Sequence, residues 1–378
     1  MSTMLGNKYI AANKINAGMP LLEEDGKRTI SPYEFLPAWF FYTPVVLQSL
    51  AQGIRYGNFA LPLVANPGIH LSGMVGESKH DILSLAGPVA QPWISPFITL
   101  TKHDETSLET QKDAAIEAME KAQLTFPVVA KPDLGCRGVG VKLLQNASQL
   151  EDYIQSFPSQ ARYLLQQKAP YQAEAGVFYV RQPDESKGKI ISITLKYAPS
   201  VLGDGIHTLK ELIEASPRAG QLSHLYLPRH TDKLDWVPAA GEEFQLAFAG
   251  SHSRGSIFRD GNQYISAALT EKLDEVLGDV EGFYYGRLDI KFKDIESFMA
   301  GQDFTILEIN GASSEAAHIW DRNTPLKEIF STLLMQYRIL FQIGAKQRKL
   351  GHKVPTLKSL LTAWRHEKGL TEQYPSTD

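Results

Sequence analysis

The feature that most limits the fold is a succession of strand-sized runs. FPVVAKP and VGVKLL fall between residues 126 and 144, and RYLLQQ, GVFYVRQ, IISITLKY, EFQLAFAG, FYYGRLDIKF and FTILEIN follow up to Asn310. Runs of this kind, bounded by Gly, Pro, Asp and Asn, read as strands. A few helical stretches separate them. TSLETQKDAAIEAMEKAQL opens on Thr106 with Glu109 three residues on, a capping-box pair, and keeps apolar residues at helical spacing until it stops before Pro127. Ser148 and Glu151 repeat the pair at the head of SQLEDYIQSF, as do Thr208 and Glu211 in GDGIHTLKELI. A long amphipathic helix is expected from Pro325, capped by Thr324, toward Lys349. Mostly antiparallel strands with a few helices between them specify an α+β build.

In FPVVAKPDLGCRGVGVKLL the glycines Gly135, Gly138 and Gly140 join two strands. Their order is G-x-x-G-x-G and the chain goes on as a strand, so neither a Rossmann turn nor a Walker loop is present. Glycines in such a loop let backbone N–H groups approach phosphate oxygens without a Cβ in the way, and Lys131 sets a positive charge beside them. Taken alone, the stretch reads equally as a phosphate cradle and as an ordinary hairpin. Two later strands supply the context. In GRLDIKF, alternation puts Arg287, Asp289 and Lys291 on one face; in FTILEIN it puts Glu308 and Asn310 on one face and Leu307 and Ile309 on the other. Asp, Glu and Asn are hard oxygen ligands, suited to Mg²⁺ shared with nucleotide phosphates.

At 378 residues and 43% hydrophobic, the chain is long enough for two or three domains. A formal charge of -4 gives no basic field to neutralise a phosphate backbone, which excludes nucleic acid as a general partner. The one cysteine, Cys136, forms no intramolecular disulfide and no thiolate zinc cluster. With no basic segment and apolar run at the amino terminus, a cytoplasmic protein is expected. FLPAWFFYTPVVLQSLAQGI, between Glu34 and Arg55, is uncharged and close to bilayer length, but Pro37, Pro44, Gln48 and Gln52 interrupt it, and it is expected as helices buried in an amino-terminal domain. A helix is expected to begin near Ser78. The basic tail KQRKLGHKVPTLKSLLTAWRHEKG reads as a solvated helix packed on the surface, or as a weak contact to an acidic membrane surface. NPGIHLSGMVGESK, with Asn66, Gly68, Gly73 and Glu77, has the glycine density of a binding loop and is assigned to the acceptor site. His252 and His318 are read as rings satisfied by neighbours such as Ser251, Ser253 and Ser314, and Cys136 has no paired base that would make it a nucleophile.

Over residues 79 to 320 these motifs resemble the ATP-grasp superfamily, in the branch of D-alanine:D-alanine ligases and the ATP-grasp parts of cyanophycin and glutathione synthetases. The resemblance implies an ATP-grasp fold: two α/β subdomains clasping ATP, an extra amino-terminal domain and a carboxy-terminal helical tail. The boundaries it implies are 1–78 for the amino-terminal domain, 79–172 for the central subdomain with the glycine loop, 173–345 for the subdomain with the metal site, and 346–378 for the basic tail. FPVVAKP with its loop is similar to the phosphate-covering hairpin, which implies phosphate contacts from Lys131, Gly135, Arg137, Gly138 and Gly140. GESKHDILSLAG implies a second contact from Lys79. LLQQKAP is similar to the adenine hinge, with Gln167 where the family usually has Glu and the backbone of Lys168 and Ala169 facing the adenine edge. Glu174 stands at the spacing of the ribose-binding carboxylate. GDGIHTLKELI resembles the G-D-G-x-H-T motif, which places Lys196 toward the phosphates. LDIKF and LEING imply that Asp289, Glu308 and Asn310 hold Mg²⁺ or Mn²⁺, and Arg254 in GSHSRGSIF corresponds to the arginine that steadies the acyl phosphate.

The activity so implied is an ADP-forming ligase: ATP converts a small carboxylate into an acyl phosphate, which an amine attacks. Arg254, Lys131 and Lys196 are the expected catalytic residues. The segment after Asn310, GASSEAAHIWD, departs from the family pattern, and D-alanine is not carried over as substrate. An ATP-grasp kinase that stops at phosphoryl transfer, and a nucleotide-binding protein without chemistry, are the alternatives.

Overall fold

The computed structural model describes residues 15–22, 31, 33, 36–135, 138–248, 250 and 255–375. Two antiparallel sheets organise it, as the strand-rich pattern anticipates. The smaller has four strands in the order β1 (Phe97–Thr101), β4 (Arg162–Gln167), β2 (Val128–Pro132), β3 (Lys142–Leu144). The larger has five, in the order β11 (Phe304–Asn310), β10 (Tyr285–Phe292), β5 (Ala173–Val180), β6 (Lys189–Tyr197), β9 (Ile257–Asp260). A small pair, β7 (Ser200–Leu202) and β8 (Glu243–Gln245), stands apart, so EFQLAFAG contributes only a short strand.

The first long helix, α1, spans Ala38–Tyr56. It corrects the expectation of buried helices there: Phe41 and Val45 pack inward, while Trp39, Leu47 and Ile54 lie exposed. Among the described residues no helix is long and apolar enough to cross a membrane. The short helix α2 (Lys79–Leu83) begins behind its cap Ser78, whose Oγ accepts from the Asp81 N–H. Helices α3 (Leu108–Lys121) and α4 (Ala147–Ser156) cover one face of the small sheet, where Ala115, Met119, Leu150 and Ile154 meet Val128, Ala130 and Leu165. Their caps are Ser107 and Asn146, not Thr106 and Ser148: each accepts from an N–H three residues on, at Thr110 and Gln149. α5 (Leu209–Ala215) does start on the Thr208–Glu211 capping box.

One face of the large sheet is sealed by α6 (Ala267–Gly278), whose Leu269, Leu273, Val276 and Leu277 meet Val177, Ile193, Leu288 and Ile290. α7 (Leu326–Lys349) packs Leu340 and Ile343 against Phe178 and Tyr285 on the opposite face. Pro325 occupies its cap position, without a side-chain hydrogen bond, in place of Thr324. Beyond α7, that second face is open and looks toward the small sheet. α8 (Leu357–Thr371) is the basic tail; Leu370 and the following Tyr374 dock on the small-sheet core.

Candidate active site

The two sheets enclose a cavity of about 690 Å³, within the range of small-molecule sites. Its wall on the large sheet is set by strand register. Asp289 pairs with Glu308 across β10 and β11, Arg287 with Asn310, and Lys291 with Glu174 across β10 and β5. Alternation sends Leu288, Ile290 and Phe292 into the core and turns Arg287, Asp289 and Lys291 into the cavity. The alternation fails in β11. A bulge where Asp289 pairs with Glu308 but Ile290 with Ile306 inserts Leu307, so Leu307 lines the cavity beside Glu308 and not the opposite face. The freed Leu307 carbonyl accepts from Lys131 Nζ at 3.1 Å and from Gln166 Nε2 at 3.2 Å, two residues of the small sheet.

Charge pairing then fixes the side chains. Lys196 Nζ lies 2.8 Å from Asp289 Oδ1 and 3.2 Å from Glu174 Oε1, and Arg287 Nε lies 3.0 Å from Asp289 Oδ1. Burial works to raise the Asp289 carboxyl, but Arg287 and Lys196 outweigh it and hold it at about 2. Lys196 reaches Asp289 across Gly176, the residue opposite Asp289 in β5. A Cβ there would stand 3.1 Å from Arg287 Cδ and 3.3 Å from Lys196 Cε. Sequence reasoning missed Gly176; its signal was a glycine inside a strand-forming run, which marks a close approach.

From the small-sheet side, Lys79 Nζ donates to the Gly135 carbonyl at 2.8 Å and lies 3.5 Å from Glu308 Oε1. Burial lowers the Lys131 ammonium to about 8, against the pull of Glu308. Gly135 and Gly138 line the cavity with φ of 123° and 72°, backbone that favours glycine. Gly140 instead backs the loop: a Cβ on it would come 2.7 Å from Pro132 Cγ. Lys168, Ala169 and Glu174 line the cavity with Val129, Val141 and Leu143. Gln167 also lines it, but its side-chain amide is spent on Thr125, accepting from the N–H at 3.0 Å and donating to the carbonyl at 3.3 Å. Arg137 and Arg254, like Cys136 and His252, lie outside the described residues. His318 is buried with Nδ1 2.7 Å from Ser192 Oγ, a serine other than those expected.

NPGIHLSGMVGESK corrects its assignment to the acceptor site: Asn66, Gly68, Gly73 and Glu77 do not line the cavity, and the segment acts as a brace. Asn66, fully buried, accepts from the N–H groups of Tyr284 and Tyr285 through Oδ1 and donates to the Tyr285 carbonyl at 2.8 Å, fixing the start of β10. The Ser72 and Gly73 carbonyls accept from Ala312 and Ser313, just past Asn310. Glu77 takes the Gly311 N–H at 2.5 Å, and burial raises its carboxyl to about 8. The segment thus positions the exit of β11.

The donor set suits a hard divalent cation: two carboxylates opposed across a strand pair, with an amide two residues along the same face. Among the described residues no group of three His, Cys, Asp or Glu stands together here or elsewhere, so this set rests on its two carboxylates and the Asn310 amide.

No family model matches the sequence, and no curated protein matches it. Solved structures do. D-alanine–D-alanine ligase from Bacillus anthracis aligns at a TM-score of 0.41 and 13% identity over 75% of this chain and 72% of that one. VanG D-Ala:D-Ser ligase from Enterococcus faecalis aligns at 0.40 and 14%, over 72% and 64%. The bifunctional glutathione synthetase from Pasteurella multocida aligns at 0.35 and 16%, over 69% of this chain and 36% of that one, so the chain spans about a third of its length. These superpositions are distant and assign no chemistry to the cavity. The likeness to these two ligases and to the synthetase is one of fold alone.

Proposed function

We propose that the protein is an ATP- and Mg²⁺-dependent ligase that converts a small carboxylate to an acyl phosphate and joins it to an amine. The observation that carries this reading is the convergence of Lys79, Lys131, Lys196 and Arg287 on one cavity beside Asp289, Glu308 and Asn310. A carboxylate carbon resists an amine because oxide is a poor leaving group; a phosphorylated oxygen is a good one. In the proposed reaction the γ-phosphoryl group passes to the carboxylate oxygen and ADP leaves. The amine nitrogen then bonds to the acyl carbon, the carbon–oxygen bond to phosphate breaks, and the ammonium proton is lost.

Asp289, Glu308 and Asn310 would hold magnesium, which when bound offsets charge on the β- and γ-phosphates. Lys79 and Lys131 reach in from the small sheet and its entry helix, and Lys196 from the large one, so a polyphosphate between them is held from both sides. The glycine loop supplies backbone N–H groups without a Cβ in the way. Val129, Val141, Leu143 and Ala169 supply an apolar lining suited to a purine, and Glu174 would take the sugar hydroxyls. Arg254 is assigned to the acyl phosphate from the sequence resemblance.

The test is hydroxamate formation from pooled amino acids and small carboxylic acids with hydroxylamine, ATP and Mg²⁺. Hydroxamate in any pool is expected. A phosphorylated product whose yield ignores added amine would replace the ligase with a kinase. Glu308→Ala is expected to abolish Mg²⁺-dependent ADP formation in a folded protein; retained activity would sink the metal assignment.

A further inference from the structure

The part of the cavity lined by α1 and by the segment after β11 has a different chemistry. Phe41 and Tyr42 from α1 line it together with Ala317, Trp320 and Glu315 from the segment after β11. Phe41 and Trp320 meet edge to face, with centroids 5.2 Å apart. Into this apolar wall the chain sets one acidic residue. Glu315 Oε2 accepts from Trp320 Nε1 at 3.1 Å, and among the described residues no lysine, arginine or histidine forms an ion pair with it. Every other carboxylate around the cavity has a cation: Asp289 has Lys196 and Arg287, Glu174 has Lys196 and Lys291, Glu308 has Lys79. Burial raises the Glu315 carboxyl, against the hydrogen bond from Trp320. A carboxylate that lines an apolar cavity without a cation is costly unless a ligand brings one.

One guanidinium links its backbone to the reacting centre. Arg287 holds Asp289 through Nε at 3.0 Å and reaches the Glu315 carbonyl with another nitrogen at 3.5 Å. The Glu315 main chain is therefore one side chain away from the carboxylate assigned to the metal.

We propose that this part of the cavity is the subsite for the attacking amine, with Glu315 recognising its ammonium and the Phe41, Tyr42 and Trp320 wall taking an apolar or aromatic body. The inference rests on the ligase reading and narrows its acceptor to an aryl- or alkyl-substituted primary amine. Hydrophilic amines lack the body that fills the aromatic wall. Carboxylates are repelled by Glu315 and are directed to the lysine-rich part.

The test is binding, measured without turnover. The full chain is titrated by fluorine NMR with 4-fluorophenethylamine and, separately, with the uncharged 2-(4-fluorophenyl)ethanol, for the unaltered protein and for Glu315→Gln, which keeps the side-chain shape and an acceptor for Trp320. The amine is expected to bind the unaltered protein more tightly than the alcohol. Glu315→Gln should weaken it about tenfold to a hundredfold, the size of a charge-assisted hydrogen bond, and leave the alcohol unchanged. Equal affinity for amine and alcohol, an amine affinity that ignores the substitution, or no binding by the unaltered protein would each overturn the proposal. Equal loss of both probes would overturn it as well, since that is the signature of a disturbed wall. The readout separates the two readings: hydroxamate formation without amine binding removes the subsite alone, and amine binding without any ATP-dependent product removes the ligase alone.

Discussion

At the scale of single residues, burial has moved one group in the cavity and one behind it into the physiological range. Lys131 is lowered to about 8 and Glu77 raised to about 8. Below that pH Lys131 is an ammonium and Glu77 is neutral; above it Lys131 loses its charge and Glu77 becomes an anion. Both changes act against a bound polyphosphate. Affinity for a nonhydrolysable ATP analogue is therefore expected to hold near pH 7 and to fall as pH rises through about 8, measured by calorimetry. Lys131→Met should lower the affinity at neutral pH and reduce the fall; an affinity flat up to pH of about 9 would contradict both assignments. Gly176 works sterically. A valine there occupies the space through which Lys196 and Arg287 reach Asp289, and overpacking of this kind costs about 1–3 kcal/mol of stability. Gly176→Val is expected to leave a folded protein whose ADP formation falls about a hundredfold, the usual consequence of misplacing reacting groups by about an ångström. Unimpaired turnover in that variant would mean that the Lys196–Asp289 pair has no part in catalysis.

At the scale of elements, what the sequence makes legible is what depends on local pattern. β4, β6, β10 and β11 are strongly patterned runs, and α7 carries a full amphipathic repeat, so all are readable from residue order. Elements defined by a partner are not. β1 is half-buried throughout and gains its identity from pairing with β4, so FITLT gives no periodic signal. β7 and β9, of three and four residues, are too short to show a period. The bulge at Leu307 exists only relative to β10, and it is what turns the Leu307 carbonyl toward Lys131 and Gln166. Helix caps are ambiguous in the sequence for a related reason. Thr106 and Ser107, or Asn146 and Ser148, are chemically equivalent candidates, and the chain's approach to the sheet selects between them. Gly176 heads the run GVFYV and so reads as the start of a strand; the strand begins at Ala173 and the glycine is interior. The composition of the cavity was thus readable, and the devices that aim its side chains were not.

At the scale of the whole molecule, the carboxy-terminal segment joins parts that no sheet connects. Leu360 and Ala363 of α8 pack with Ala60, Leu63 and Leu71. The Glu367 carboxylate accepts from the Gly76 N–H at 2.7 Å, immediately before the brace residue Glu77. Tyr374 stacks on Phe157 at 5.3 Å and 16°, and a Cβ on Gly140 would stand 3.2 Å from Tyr374 Cβ. The tail therefore backs the glycine loop from behind while holding the segment that braces β11, so loosening it acts on both walls of the cavity. Tyr374 isolates the effect because its ring and hydroxyl have opposite values. The ring packs half-buried against the small-sheet core, and losing it costs up to about 3 kcal/mol, the low end for a large aromatic. The hydroxyl is buried and finds no hydrogen-bond partner among the described residues, so its removal relieves a desolvation cost. Tyr374→Ala is expected to lower the melting temperature, to speed amide exchange in β2 and β3 more than in β5 and β10, and to weaken binding of the ATP analogue. Tyr374→Phe should match or exceed the unaltered protein in stability and bind the analogue equally well. A destabilised Phe variant would mean that the hydroxyl has a partner, and exchange rising equally in both sheets after Tyr374→Ala would mean that the tail supports the whole fold and not the loop in particular.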